Sequence, residues 1–433
     1  MVKDYLIQPN VSNKTLITNA GLKYKTNFIG KIGIMMLSCG TGAWRVRESM
    51  NSIAKVLNIR CFADIGLVSI NYTCYEKCNS CSQTLTLSET GINMVKLHDL
   101  EDFVNFFQLH GTDLTVAEVC SLLKKINRSS NNYSKFTLSL AAGLACSAFV
   151  FLLGGGIIEM FCSLIAATLG NYIRQIIGKH NLISLLGIIY SVATACISYA
   201  IVFYLLEISF HLSIQHEAGY IGAMLFVVPG FPFITSGLDI AKLDMHSGLE
   251  RAAYALMVIS IASLVAWIIA FYINLKPSNF TPLNLTPFIT FILRIPASFI
   301  GVFGFSLMFN STPKMAFLAS IVGAFANTFR LELIDFTSMP PAAASFVGAL
   351  CAGILASIIQ LKNGDPRISI TVPSIVIMVP GLYMYRAIYD IGNLSLISGI
   401  SWLVKSIMII IFLQLGLVVA RAISDYKWRH TIS

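Results

Sequence analysis

Charged side chains are scarce in this chain. Only 12% of its 433 residues are Asp, Glu, Lys or Arg, compared with roughly 25% in an average soluble domain. Hydrophobic residues make up 56%, and the mean hydropathy is +0.74. This composition excludes an ordinary soluble protein and indicates an integral membrane protein. The net charge of +9 does not predict a nucleic-acid partner, because the positive excess of a membrane protein usually collects in its cytoplasmic loops.

Signals of several other protein classes are missing. Residues 1–27 are polar, and the first apolar stretch contains Lys31 and is too short to span a bilayer, so no secretory signal is predicted. Ten cysteines are too few for a disulfide scaffold, which favours reduced thiols. The N-terminal region has no P-loop, nucleophile elbow, Gly-rich dinucleotide turn or zinc-binding His-Glu helix. We therefore expect no cofactor, and any transport would be secondary.

The apolar residues are unevenly distributed, and this divides the chain. We predict a polar tail at 1–27, a cytoplasmic α+β domain at 28–135, a first five-helix membrane half at 136–275, and a second at 276–433 that ends in a short cytoplasmic tail. Within the domain, apolar spacing predicts helices at 28–39, 44–57, 98–109 and 115–126, and alternation predicts a hairpin of strands 67–73 and 82–87. Thr115, with Glu118 three residues later, is a predicted capping box.

Ten apolar spans follow the N-terminal domain. They lie at about 137–153, 157–177, 182–206, 219–241, 251–273, 287–309, 315–334, 342–361, 370–391 and 396–420. If the domain is cytoplasmic, Lys and Arg concentrate on its side of the membrane, and the outer side keeps chiefly Lys276, Arg330 and Arg386, as the positive-inside rule requires. Both termini are then cytoplasmic. Because each half has five spans, the second half enters the membrane in the opposite direction, which predicts an α-helical five-plus-five inverted repeat.

A helix-breaking Pro-Gly pair occurs once in each half. Pro229-Gly230 and Pro380-Gly381 are about 151 residues apart, and Asp239 and Asp390 each follow ten residues after the proline. A Pro-Gly pair interrupts the helical hydrogen bonds, so the freed backbone groups must line a cavity or be buried in protein. Paired broken helices predict the binding site of a transporter. The alternative is that both pairs are structural kinks.

Ionisable residues within spans are candidates for a functional site, because a charge in hydrocarbon is unfavourable unless it faces a cavity or a partner. They are Glu159, Asp239, Arg294, Arg386 and Asp390. Asp239 or Glu159 could bind an ammonium group or carry a proton, and Arg294 or the broken-helix amides could bind a carboxylate. Alternatively, Asp239, Arg386 and Asp390 mark the ends of their spans, and Glu159 and Arg294 pair with each other or extend to the interface. The hydroxyls of Thr235 and Tyr385 could contact a small polar solute or serve helix packing.

Three closely spaced cysteines stand out in the N-terminal domain. Cys74, Cys78 and Cys81 have the spacing of an iron–sulfur site, but they fall in a predicted hairpin of a small domain. Zinc would need a fourth ligand such as Cys61, His98 or Cys39. Free thiols are the favoured interpretation, and no metal is expected.

Several motifs together resemble the bacterial threonine/serine exporter family. In the N-terminal domain, the run from Gly40-Thr41-Gly42-Ala43 to Glu48 is similar to that family's signature, and the segment 91–97 is similar to a later motif. In the membrane part, the similar residues are Gly154-Gly155-Gly156, Val228-Pro229-Gly230-Phe231-Pro232, Gly237, Asp239, Ser247, Gly248, Pro373 and Val379-Pro380-Gly381 with Tyr383, Tyr385, Arg386 and Ala387. The departures are Arg47, where an acidic residue is expected, and the cysteine cluster.

The resemblance implies a bacterial cytoplasmic-membrane transporter that exports threonine and serine, driven by the proton gradient or the membrane potential. Its partners would be the amino acid, a proton or other coupling ion, and the lipid bilayer. A related split form of the architecture implies succinate-like dicarboxylates as the alternative cargo. A different alternative is that the N-terminal domain is a hydrolase-like or regulatory domain. The spacing of Ala349 and Gly353 permits a homo-oligomer.

Overall fold

The computed structural model describes residues 15–128, 133–178, 183–210, 217–273 and 285–429. Residues 1–14 of the predicted tail, Lys276 and the predicted boundary between residues 275 and 276 lie outside these ranges. The described residues form two compact units: residues 235–252 pack with the N-terminal domain, and residues 133–234 and 253–429 form the other unit.

The N-terminal domain is α+β, as predicted. Its elements are α1 (Leu22–Leu37), α2 (Ala43–Val56), β1 (Arg60–Ile65), β2 (Ser69–Glu76), β3 (Asn79–Thr86), α3 (Met94–His110) and α4 (Val116–Arg128). The three strands form an antiparallel sheet in the order β1-β2-β3. The predicted hairpin is therefore part of a larger sheet, and β1 was not predicted. The capping box is present: the Thr115 backbone N–H donates to Glu118 Oε2 at 2.8 Å, and the Glu118 N–H donates to Thr115 Oγ1 at 3.3 Å.

Helix α1 begins inside the predicted polar tail, at Leu22 instead of Phe28. The difference arises because polar residues in its first turns are buried through specific partners. Lys25 Nζ pairs with Glu76 Oε1 at 2.6 Å, and the Tyr72 hydroxyl donates to the Thr26 carbonyl at 3.1 Å. Burial of a polar side chain is tolerated when it has such partners, but local sequence does not reveal them.

The membrane part consists of long apolar helices and two broken ones. The elements are α5 (Lys135–Leu152), α6 (Ile157–Ile177), α7 (Ser184–Phe210), α8 (Glu217–Gly222), α9 (Gly230–Ala241), α10 (Met245–Ile273), α11 (Pro287–Met308), α12 (Pro313–Thr337), α13 (Pro341–Asn363), α14 (Arg367–Val376), α15 (Gly381–Gly392), α16 (Leu396–Ser424) and the short α17 (Tyr426–Arg429). Within the described ranges, 8 helices are long and apolar enough to cross a bilayer, and the number is 10 if each bent pair counts as one span. Eight of the ten predicted spans are confirmed as unbroken helices, and the predicted fourth and ninth spans correspond to the two bent pairs.

The two halves repeat each other in detail. Helices α10 and α16 both run for 29 residues and start about 151 residues apart. The turns that precede them match as well, because Leu243 and Leu394 both adopt positive φ, 62° and 61°. Each half has five spans, so equivalent helices of the two halves cross the membrane in opposite directions. The repeat is therefore inverted in the membrane.

Small residues pack helices closely within the chain. A Cβ on Gly353 of α13 would lie 2.5 Å from the Ala420 Cβ of α16, and a Cβ on Gly416 would lie 2.9 Å from the Ala349 Cβ. The small-residue spacing of α13 therefore serves contact with α16. The homo-oligomer stays a prediction.

Candidate functional site

Both Pro-Gly pairs break their helices. The axis bends by 56° between Gly219–Val227 and α9, and by 48° between α14 and α15. At each break the glycine N–H donates to the carbonyl two residues earlier, at 2.8 Å for Gly230 and 2.9 Å for Gly381. Regular helical bonding is lost at both places because proline has no N–H.

The structure brings the two breaks into contact. A Cβ on Gly230 would lie 3.1 Å from Val376 of α14, and a Cβ on Gly381 would lie 3.0 Å from Val228 in the first break. Each glycine thus permits the opposite broken helix to approach its backbone. The sequence prediction that the repeat would bring the breaks together agrees with this geometry.

Further contacts join the broken helices to the opposite half. Gln414 of α16 donates from Nε2 to the Phe233 carbonyl of α9 at 2.7 Å. Tyr385 of α15 is 1% exposed, and α15 packs against α8 of the first half. The predicted residue Tyr385 is therefore placed between the halves. Gln414 was missed, because an isolated glutamine in an apolar helix carries no pattern.

Cations gather beside the second break. The Arg386 guanidinium lies 5.1 Å from the Trp402 ring centre, and Trp402 stacks on Tyr383 at 5.3 Å. Arg330 donates to the Met378 carbonyl within the break, at 3.5 Å. Arg330 was counted only among the outer-side cations, and the structure places it at the broken helix.

Arg294 and Glu159 do not pair with each other. Arg294 forms ion pairs with Glu332 at 2.8 Å and Asp335 at 2.6 Å, so the proposed pairing with Glu159 is wrong. Those acids lie 38 and 41 residues further along the chain, on α12. Sequence alone does not show which sides of two helices contact each other. Glu159 is buried, 2% exposed, and packs beside Gly219 of α8.

Asp239 lies at the end of α9 and anchors the N-terminal domain. Its Oδ1 accepts the backbone N–H of Ala43 at 3.0 Å, and its Oδ2 accepts the Ser247 hydroxyl at 2.8 Å. Oδ2 also lies 3.2 Å from Arg251 Nε. The carboxylate is fully buried, and two hydrogen bonds and one ion pair compensate for its burial. That Asp239 contacts the solute or carries a proton stays a prediction.

Arg251 holds the same turn of the N-terminal domain. Its Nη atoms donate to the carbonyls of Gly40 at 3.2 Å and Thr41 at 2.8 Å, and to the Thr235 hydroxyl at 3.3 Å. The predicted solute contact Thr235 thus belongs to this cluster. A Cβ on Gly42 would lie 2.7 Å from Asp239 Oδ1, which explains why the turn needs glycine there. Together, Asp239, Ser247, Arg251 and the turn Gly40-Thr41-Gly42-Ala43 form what we call the domain anchor.

Charged residues surround the domain anchor. Arg47, at the position where an acidic residue was expected, pairs with Asp244 at 2.5 Å. Glu250 Oε2 accepts the Leu67 N–H at 2.6 Å, and His246 lies 3.1 Å from Asp64. Helix α2, strand β1 and the turn that follows β1 therefore all form polar contacts with the corner between α9 and α10.

Three cysteines of the N-terminal domain form a row across the sheet, and this row includes only two of the closely spaced three. Cys61, Cys74 and Cys81 face each other across the three strands, while Cys78 lies exposed in the turn between β2 and β3. Among the described residues, no group of three potential ligands is arranged to hold a metal ion. A hydrogen bond from the Cys61 thiol lowers the pKa of Cys74. The same bond, together with burial, raises the pKa of Cys61.

The N-terminal domain also has an open groove of about 1740 Å³ along its sheet. The lining includes Cys61, Asp64 and Arg47. A cysteine nucleophile must be present as the thiolate, and the raised pKa of Cys61 disfavours that form. Cys61 is therefore unsuited to act as the nucleophile of a hydrolase in this groove.

Two inverted five-span halves that meet at paired broken helices define a multi-pass membrane transporter. Comparison with known proteins gives the family. The family model "Putative threonine/serine exporter" matches residues 27–274, and the model "Threonine/Serine exporter, ThrE" matches residues 294–423. The chain belongs to the threonine/serine exporter family, as the sequence motifs indicated.

A relative with a different printed cargo is also similar. The "Probable succinate transporter subunit YjjP" of Escherichia coli (strain K12) is 24% identical over 240 residues, which cover 55% of this chain and 90% of that protein. No solved structure matches the chain.

Proposed function

We propose that this protein is a secondary transporter that exports threonine and serine across the cytoplasmic membrane, with both termini in the cytoplasm. The solute would bind where the two broken helices meet. The contact between the Gly230 and Gly381 breaks carries this proposal, because broken helices offer unpaired backbone donors and acceptors to a small polar solute. Tyr385 and Arg386 on α15 supply side chains at the same place.

Coupling to the proton gradient or to the membrane potential completes the proposal. A buried carboxyl group within a span is a suitable proton carrier, because its charged form is unfavourable away from water. Glu159, on the first turn of α6, is such a group. Asp239 is a second candidate, although its oxygens already accept bonds in the domain anchor.

Exchange in liposomes tests the site. Purified protein should exchange labelled serine or threonine in counterflow, and Gly381→Ala should abolish exchange because the new Cβ would press on Leu225 at 2.8 Å and Val228 at 3.0 Å. Gly187→Ala is the matched control, since the nearest atom to its Cβ would be 3.8 Å away. Full exchange by Gly381→Ala would contradict a solute site at the breaks.

Dicarboxylate export is the second candidate function. It is favoured by the similarity to the probable succinate transporter subunit. Counterflow with succinate in the same liposomes separates the two cargoes. Exchange of succinate without serine or threonine would replace the first proposal with the second.

A further inference from the structure

Arg330 of α12 lies beside the helix break of the second half. Its Nη1 donates to the Met378 carbonyl at 3.5 Å, one residue before the Val379-Pro380-Gly381 run. Gly348 of α13 makes room for this approach, because a Cβ there would lie 3.1 Å from the Arg330 Cβ and 3.2 Å from Met378 Sδ. The guanidinium is therefore held beside the broken backbone by packing from α13.

Among the described residues, no neighbouring acid balances the charge of Arg330. In the described parts of the chain, Arg330 has no carboxylate within 4.0 Å, whereas Arg294 has both Glu332 and Asp335. A guanidinium has five N–H donors in a planar fork, and one long bond to Met378 leaves most of them for another acceptor. An intramembrane cation normally pairs with an acid or with backbone carbonyls, and a transported anion would supply the acid that Arg330 lacks among the described residues.

The repeat carries the same residue pair in its first half. Asn327 and Arg330 are three residues apart on α12, and Asn171 and Arg174 have the same spacing on α6. Both helices follow a tight turn, and each arginine lies 17 residues after the first residue of its helix, Ile157 or Pro313. The asparagines are buried in both halves. Arg174 occupies the equivalent position in the first half, and this repetition argues against the view that Arg330 lies at the end of its span by chance.

We propose that Arg330 binds the carboxylate of the transported solute at the second break. The inference rests on the proposed transport function, and it applies to either cargo, because serine and succinate share the carboxylate. Arginine suits this role, since its fork matches both oxygens of a carboxylate. Arg294, already bonded to two acids, is a structural residue in this assignment.

The test compares ligands that differ only in the carboxylate. In proteoliposomes, the half-saturating serine concentration is measured for the wild type, Arg330→Gln and Arg330→Lys, and serinamide is tested as a competitor. Succinate and its diamide form the second arm. Loss of a charged hydrogen bond should raise the half-saturating concentration of the carboxylate ligand at least about tenfold in Arg330→Gln. Competition by the amide should be unchanged, and Arg330→Lys should be intermediate.

Arg294→Gln is the matched control and should affect acid and amide ligands by the same factor. Equal weakening of both ligand types in Arg330→Gln would overturn the inference, because it would show that the guanidinium only supports Met378. Unchanged serine saturation in both Arg330 variants would also overturn it. A wild-type protein that exchanges neither serine, threonine nor succinate would instead overturn the proposed function, and the inference with it.

Discussion

Two corners of the molecule occupy equivalent positions in the repeat: residues 239–251 join α9 to α10, and residues 390–402 join α15 to α16. They have the same backbone conformation but different side-chain contacts. In both, the residue five positions after the aspartate donates its N–H to the aspartate carbonyl, at 3.0 Å for Asp244 and 2.8 Å for Ser395. Both contain a leucine with positive φ and a glycine pressed against an isoleucine. The backbone of the repeat has therefore been retained at atomic detail.

The side chains of the two corners have different partners. Asp239 is fully buried, and Arg251, which follows it, donates to the Gly40-Thr41 turn. At the position equivalent to Arg251, Trp402 instead stacks on Tyr383 and lies beside Arg386. The comparison shows that a duplicated corner became an attachment point in one half and part of the candidate solute site in the other.

The largest effect is expected from Arg251→Gln. The substitution leaves a buried carboxylate without its cation and two carbonyls without a donor, which should lower the free energy of unfolding of the N-terminal unit by about 3–5 kcal/mol. Hydrogen exchange of peptides covering residues 40–47 measures the release of the turn. The double variant Arg251→Gln/Asp239→Asn should lose less than the sum of the single variants. Additive losses would show that the two groups do not act as a pair.

A smaller loss of stability is expected when either aspartate is replaced, and the loss should differ between Asp239 and Asp390. Asp239→Asn leaves Arg251 without a buried counter-charge and should destabilise the protein by more than about 2 kcal/mol. Asp390→Asn alters a carboxylate that is only half-buried and should change stability by less than about 1 kcal/mol. Chemical denaturation of the two variants in detergent gives both values. Equal losses would contradict the asymmetry of the corners.

The shared backbone predicts equal effects for two glycine substitutions. In Gly248→Ala the new Cβ would lie 2.5 Å from Ile240 Cγ1, and in Gly399→Ala it would lie 2.6 Å from Ile391 Cγ1. Each variant should lose about 1–3 kcal/mol through overpacking. Thermal unfolding midpoints measured in parallel should fall by similar amounts, and a large loss in only one half would show that the corners differ in backbone rigidity.

The smallest expected effect is a gain in stability. Leu243 and Leu394 adopt positive φ with side chains 80% and 84% exposed, so little packing is lost on substitution. Asparagine tolerates this conformation better than leucine, and Leu243→Asn or Leu394→Asn should each stabilise the fold by up to about 1 kcal/mol. The thermal midpoint of each variant tests this, with exposed Leu256→Asn in the middle of α10 as a control that should not stabilise.

Features that depend on local pattern were predictable from the sequence. The ten spans follow from runs of apolar residues, the capping box follows from Thr115 and Glu118, and the meeting of the breaks follows from the repeated Pro-Gly spacing. Strand β1 was missed because its sequence, with Arg60 and Asp64, is too polar for a clear alternation. These successes come from signals that span a few residues or that occur twice.

The domain anchor and the partners of Arg294 could not be predicted. Asp239 and Ala43 are 196 residues apart in the chain, and no local signal joins the two motifs. Arg251 is the first residue of the predicted fifth span, 251–273, where a cytoplasmic-side arginine is expected in any membrane protein. Its role becomes visible only when the tertiary fold brings the carbonyls of Gly40 and Thr41 to its guanidinium.

The domain anchor has a consequence for how this chain can diverge. The groups that Asp239 and Arg251 bind on the N-terminal domain are the Ala43 amide and the Gly40 and Thr41 carbonyls, all of which belong to the main chain. Recognition by these two residues therefore depends on the shape of the turn and on the absence of a side chain at Gly42, whereas the surrounding pairs Arg47–Asp244 and Asp64–His246 depend on side chains of the domain. An N-terminal domain of different sequence should therefore keep its place if it retains the Gly-x-Gly turn together with Arg47 and Asp64.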